Sequence, residues 1–74
     1  MIHHMSQLRC KLEQHIHVRT GRRVLNLAVE LSGERIVLRG RTSTYYVKQL
    51  AQRGVQDLLP EVSLENAIVV DSPN

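Results

Sequence analysis

The chain has 74 residues, a formal net charge of +3 and a sequence pI of about 9.6. This length predicts one small domain, residues 1–74, with frayed ends at 1–5 and 71–74, and a core too small to enclose a deep active site. The single cysteine, Cys10, excludes an intramolecular disulfide and a cysteine-based zinc site. The modest positive charge is compatible with an anionic partner but does not require one.

No apolar run approaches the roughly 18 residues that are needed to cross a bilayer. The N-terminal segment also lacks the cationic start and apolar stretch of a secretory signal. We therefore expect a cytoplasmic protein, which could still associate peripherally with a membrane surface.

The first predicted element is an amphipathic helix over residues 6–16. Leu8, Leu12 and Ile16 recur at spacings of four on one face, and Ser6 is the expected N-cap. Residues 18–23 are polar and contain a glycine, so they predict a loop.

Two strands are predicted next, over residues 24–32 and 35–41, because apolar side chains there recur with a period of two. In the first strand, alternation assigns four residues to the core face: Leu25, Leu27, Val29 and Leu31. In the second strand, Ile36 and Leu38 are expected to face the core and Val37 to face away from it. Gly33 lies between the strands and predicts a tight reversal.

A second helix follows, capped by Thr42 or Ser43 and ended by Pro60. Its apolar stripe consists of Val47, Leu50, Ala51, Gly54, Val55 and Leu58. A last strand is predicted over residues 62–70. The expected centre of the core consists of Leu38, Leu50, Ala51, Val55 and Ile68.

The element order α-β-β-α-β predicts an α+β fold. Because strand-helix-strand connections between parallel strands are right-handed, both helices are expected on one face of a three-stranded mixed sheet.

Roughly the last two thirds of the chain resembles the BON domain, the bacterial osmotically inducible and nodulation module. The matching segments are Val29-Glu30-Leu31-Ser32-Gly33, Ile36-Val37-Leu38-Arg39-Gly40, the helix around Ala51 and Val55, and Leu64-Glu65-Asn66-Ala67-Ile68-Val69-Val70. They correspond to the family's glycine turn, V-x-L-x-G strand, Ala- and Val-lined helix and closing strand. The family usually has Gly-Val before the last strand, where this chain has Pro60-Glu61-Val62.

The resemblance implies a non-enzymatic binding or assembly module without a cofactor or small-molecule substrate. Members often occur as paired copies and have been linked to phospholipid surfaces. We therefore expect this chain to act through protein contacts, including self-association, or at an anionic phospholipid surface.

Two candidate sites follow from the predicted elements. Arginines near a glycine loop and near a helix N-terminus predict an anion-binding cluster, made of Arg22, Arg23, Arg39 and Arg41. Small apolar residues on the sheet face away from the helices predict an interface, made of Ala28, Val37, Ala67 and Val69. The open strand edges offer a second means of association.

A small RNA- or DNA-binding protein is the alternative, since the charge and element order are compatible with one. The glycine loop of KH domains and the sheet aromatics of RRM domains are both missing from the sequence. No catalytic or metal-binding set is predicted, because Cys10 has no adjacent base and nothing fixes the four histidines together: His3, His4, His15 and His17.

Overall fold

The computed structural model describes residues 2–71, with side chains from Gln7 onward. Its elements are α1 (Ile2–Thr20), β1 (Leu25–Ser32), β2 (Arg35–Thr42), α2 (Tyr45–Leu58), β3 (Ser63–Asn66) and β4 (Val69–Val70). The predicted α+β fold, with two helices and a mixed sheet, is confirmed. The predicted fraying of Met1 and of residues 72–74 lies outside the described residues.

The sheet is centred on β2, which pairs antiparallel with β1 on one side and parallel with β3 and β4 on the other. β3 and β4 keep one register along β2, since Leu38 lies opposite Asn66 and Arg41 lies opposite Val69. Between them, the Ala67 N–H donates to the Leu38 carbonyl over 2.9 Å. β3 and β4 are therefore two segments of one edge strand, and the sheet is three strands wide.

The core lies between the sheet and both helices, so the helices cover the same sheet face. Its buried residues are Leu12, Ile16, Val24, Val29, Ile36, Leu38, Val47, Ala51, Val55 and Ile68. The prediction that Leu50 belongs to the centre of the core is wrong, because Leu50 is only partly buried. Val47, Ala51 and Val55 follow one another at spacings of four and define the centre of the α2 stripe, and Leu50 lies at its margin.

The first helix is longer at both ends than its periodicity predicts. α1 begins at Ile2, so Ser6 lies inside the helix and is not its N-cap. It also continues through residues 18–20, which the sequence predicts as loop. Thr20 is buried at this end, and its hydroxyl donates to the Ile16 carbonyl over 2.8 Å, so this buried polar group has a hydrogen-bond partner within the additional turn.

Strand β1 contains a bulge that the regular alternation of the sequence does not reveal. The register with β2 shifts between Leu25 and Ala28, and Asn26 adopts a left-handed φ of 55°. As a result Val24 enters the core, and Leu25 lies opposite Arg41 on the other face, where it is 64 % exposed. The prediction of a core-facing Leu25 is therefore wrong.

Gly40 provides the space for this bulge. A Cβ atom on Gly40 would lie 2.8 Å from Val24 Cγ1 and 3.0 Å from the Leu25 carbonyl oxygen, and the residue has a φ of 152°. Both the close approach and the backbone conformation therefore require glycine.

Helix α2 is capped by Thr44, whose hydroxyl accepts from the Val47 N–H over 3.2 Å. Thr42 and Ser43, the predicted caps, precede this residue, and Thr42 is the buried last residue of β2. Gly54 faces α1, where a Cβ atom would lie 3.2 Å from Ile16 Cγ1. Its lack of a side chain allows the two helices to pack closely.

Candidate interaction surfaces

The sheet face that points away from the helices is called here the outer face. Register pairs place on it Leu25, Ala28, Glu30, Arg35, Val37, Arg39, Arg41, Glu65 and Val69. Ala67 lies between Glu65 and Val69 at the same two-residue spacing, and its bond to the Leu38 carbonyl continues the ladder, so it belongs to this face as well. All four residues of the predicted interface therefore share one face, because cross-strand partners point to the same side of a sheet.

The three outer-face arginines are all paired with carboxylates. Arg39 Nε lies 2.8 Å from Glu30 Oε2, Arg41 Nε lies 3.1 Å from Asp71 Oδ2, and Arg35 pairs with Glu65. Three positive and three negative charges give this surface no net charge, although the whole chain carries +3. The pairs are exposed, so they contribute little to stability.

Val37 does not belong to an accessible patch, contrary to the prediction, because it is only 8 % exposed. Its register partners on the neighbouring strands are Glu30 and Glu65. Glu65 pairs with Arg35 and Glu30 pairs with Arg39, so the two ion pairs flank Val37. The aliphatic parts of such long side chains cover apolar neighbours while their charged ends remain in water. The centre of the outer face is therefore polar at its surface.

An apolar surface remains at the end of the outer face nearest the N-terminus of α2. Leu25 and Val69 lie on either side of Arg41 in one row across the sheet, and they are 64 % and 51 % exposed. Ala28 and Ala67 are partly buried beside them. We call Leu25, Val69, Ala28 and Ala67 the apolar row. The sequence pattern did not predict that Leu25 lies on the outer face. The residues that indicate the bulge behind this position are Asn26, with its left-handed φ, and Gly40, which makes room for it.

The arginines of the predicted anion-binding cluster fall into two groups. Arg39 and Arg41 belong to the outer-face ion pairs. Arg22 and Arg23 lie on the exposed loop before β1, and neither forms an ion pair with another described residue. Since β1 starts opposite Arg41, this loop lies at the same end of the sheet as the apolar row.

The two helices are joined at the surface by a three-residue ionic cluster. Asp57 Oδ2 lies 3.0 Å from His15 Nε2 and 3.0 Å from Arg19 Nε. The hydrogen bond from His15 is the main cause that lowers the pKa of Asp57, the charge of Arg19 adds to it, and partial desolvation opposes both. This cluster connects α1 to α2 at the surface.

A polar groove runs along α2 beside β3, with a volume of about 330 Å³. It is lined by Tyr45, Lys48, Gln49, Gln52, Arg53, Gln56 and Asn66. The Asn66 amide donates to the Lys48 carbonyl over 2.9 Å and to Gln52 Oε1 over 3.4 Å, which fixes the floor of the groove. The sequence analysis did not identify this groove, because Lys48 and Asn66 are far apart in the chain.

Across the residues whose side chains are described, 7–71, no three His, Cys, Asp or Glu side chains come together in a way that could hold a metal ion. His15 and His17 are two positions apart on α1 and therefore point in different directions. None of the helices in the described range is long and apolar enough to span a bilayer. The chain matches no protein-family model, no curated protein and no solved structure.

Proposed function

We propose that this chain is a non-enzymatic, BON-like assembly module that binds a second copy of itself through the outer face. The observation that carries the proposal is the exposed apolar row on a surface without net charge. Leu25 and Val69 expose aliphatic side chains that burial in an interface would remove from water.

The structural roles of the residues that resemble the BON pattern support the proposal of a BON-like module. Gly33 has a φ of 60° at the hairpin turn, and Gly40 allows the close approach of Val24. Ala51 and Val55 are fully buried at the centre of α2. Turn and packing positions of this kind specify a fold, and they do not provide a catalytic group.

Charge complementarity favours a second copy as the occupant of the outer face. A surface with three arginines and three carboxylates does not repel its own copy, whereas two surfaces with the chain's overall positive sign would. In a two-fold dimer each copy presents the same patch, so the ion pairs can be exchanged between copies around the apolar row.

Sedimentation equilibrium tests this proposal on the wild-type chain and on a Leu25→Glu, Val69→Lys double variant. We expect the wild type to dimerise and the double variant to remain monomeric with an unchanged circular dichroism spectrum. Val18→Lys is the control, because Val18 is 78 % exposed on α1 and lies away from the sheet. A monomeric wild type, or dissociation by the control alone, would reject the proposal.

An anionic phospholipid surface is the second candidate, favoured by the exposed Arg22 and Arg23, which form no ion pair with another described residue. A cytoplasmic location, which we also propose, would present this pair to the anionic lipids of the inner leaflet. Cosedimentation with phosphatidylserine vesicles should then be lost in Arg22→Gln, Arg23→Gln and retained in Arg39→Gln, Arg41→Gln. Equal loss in both variants, or binding by neither the variants nor the wild type, would exclude this loop as the lipid contact.

A further inference from the structure

The groove between α2 and β3 carries positive charge without an acidic residue in its lining. Lys48 and Arg53 are its only charged lining residues, and neither forms an ion pair with another described residue. The outer-face arginines, in contrast, each have a carboxylate partner. Two cations among amides, without an acidic neighbour in the lining, make the groove complementary to carboxylates of a partner.

The groove lies beside a strand edge that is open for pairing. In a parallel ladder, alternate residues direct their backbone groups toward the neighbouring strand. Ala67 donates to the Leu38 carbonyl, so the N–H and C=O groups of Leu64 and Asn66 point away from β2. β3 pairs only with β2 among the described strands, and these groups are available to another chain.

The opposite edge of the sheet is covered differently. The Val29 N–H on β1 donates to Glu13 Oε2 of α1 over 3.4 Å, so a carboxylate from the helix occupies that edge. On the β3 side, Asn66 Oδ1 accepts from the Ile68 N–H over 3.3 Å, which holds the chain between β3 and β4 in place. A helix carboxylate thus satisfies one backbone N–H on the β1 edge, whereas the outward backbone groups of Leu64 and Asn66 on β3 have no backbone partner among the described residues.

The geometry points to an extended, acidic peptide segment of a partner protein that adds as a strand to the free edge of β3. Its backbone pairs with Leu64 and Asn66, and alternate side chains face α2, where Asp or Glu reach Lys48 and Arg53. Gln52 and the other groove amides offer further hydrogen bonds. β-strand addition combines these two elements, since main-chain pairing provides affinity and the groove selects side chains.

Single-stranded nucleic acid fits these observations less well. Nucleic acid has no main chain that could pair with the strand edge, and binding of single strands depends on aromatic stacking platforms. Tyr45 is the one aromatic residue in the groove lining. The peptide is therefore the occupant that uses both the charge and the open edge.

A phage-displayed library of random dodecapeptides, selected on the full chain, tests this inference. We expect selected peptides to carry Asp or Glu at alternate positions. Their affinity, measured by calorimetry, should fall about tenfold or more in Lys48→Glu, Arg53→Glu. Arg9→Glu, Lys11→Glu is the matched control, since it makes the same charge change on exposed positions of α1 and should leave affinity within about twofold. The milder Lys48→Gln, Arg53→Gln should give an intermediate loss.

Hydrogen exchange of the complex locates the bound strand. We expect the amides of Leu64 and Asn66 to gain protection with a selected peptide. The Leu25→Glu, Val69→Lys variant should bind that peptide like the wild type, so this inference can fail or succeed independently of outer-face assembly. The inference is overturned if no acidic peptides are selected, if the two charge-reversal variants lose affinity equally, or if the two amides stay unprotected. Binding of an octauridylate through Lys48 and Arg53, without peptide binding, would assign the groove to nucleic acid instead.

Discussion

Replacement of Gly40 by alanine tests whether the close contact between β2 and the β1 bulge supports the fold. A non-glycine residue held at an unfavourable positive φ costs about 1–3 kcal/mol. The new methyl group would lie 2.8 Å from Val24 Cγ1 and 3.0 Å from the Leu25 carbonyl oxygen, so the strands must shift. Overpacking of this kind costs about 1–3 kcal/mol.

The two contributions together predict a loss of about 2–6 kcal/mol for Gly40→Ala. That is a large part of the roughly 4–11 kcal/mol expected for a domain of this size, so the variant should unfold at a clearly lower urea concentration than the wild type.

Urea denaturation followed by circular dichroism measures the loss, with Gly33→Ala as the matched control. Gly33 also has a positive φ, of 60°, but a Cβ atom there would meet nothing within 4 Å. Gly33→Ala should therefore cost only about 1–2 kcal/mol. If Gly40→Ala were as stable as Gly33→Ala, the close contact at the bulge would not contribute, and our explanation for the outward position of Leu25 would be wrong.

Two further predictions concern the core and the helix pair. Leu38→Ala should cost about 2–5 kcal/mol, because Leu38 is fully buried, and Leu50→Ala should cost clearly less, which urea denaturation would show. Equal losses of stability in the two variants would show that Leu50 contributes as much to the core as Leu38 does. Asp57→Asn should be less stable than the wild type at neutral pH. The pKa of Asp57 is lower in the folded than in the unfolded chain. The contribution of its carboxylate to stability is therefore fully present above the unfolded-state pKa, and it is lost as the pH falls through the folded-state pKa. The difference in unfolding free energy between Asp57→Asn and the wild type should therefore shrink below about pH 4. A difference that stays constant as the pH falls would contradict the ionic cluster.

The parts of the fold that depend on local periodicity could be predicted from the sequence. Ala51 and Val55 are apolar at helical spacing, and Ile36 and Leu38 alternate along a strand, so their burial followed from pattern alone. The C-terminal end of α1 was less predictable, because Thr20 in its last turn is buried against the rest of the fold. Such a tertiary contact has no signal in the local sequence pattern.

The outer face shows why the candidate site could be predicted only in part. Alternation correctly assigned Ala28 and Val69 to this face. It could not assign Leu25, because one residue in a left-handed conformation reverses the alternation before it. It also could not predict the burial of Val37, which depends on ion pairs across three strands. The groove beside β3 depends on contacts between distant segments and has no local signal in the sequence.

Self-association through the outer face is tested most directly by a dilution series of ¹⁵N-labelled wild-type protein, from millimolar to low micromolar concentration. We expect concentration-dependent amide shifts that cluster at Leu25, Ala28, Arg41 and Val69, and unchanged resonances along the exposed side of α1. Spectra that do not change with concentration, or shifts that cluster on α1, would contradict assembly through this face.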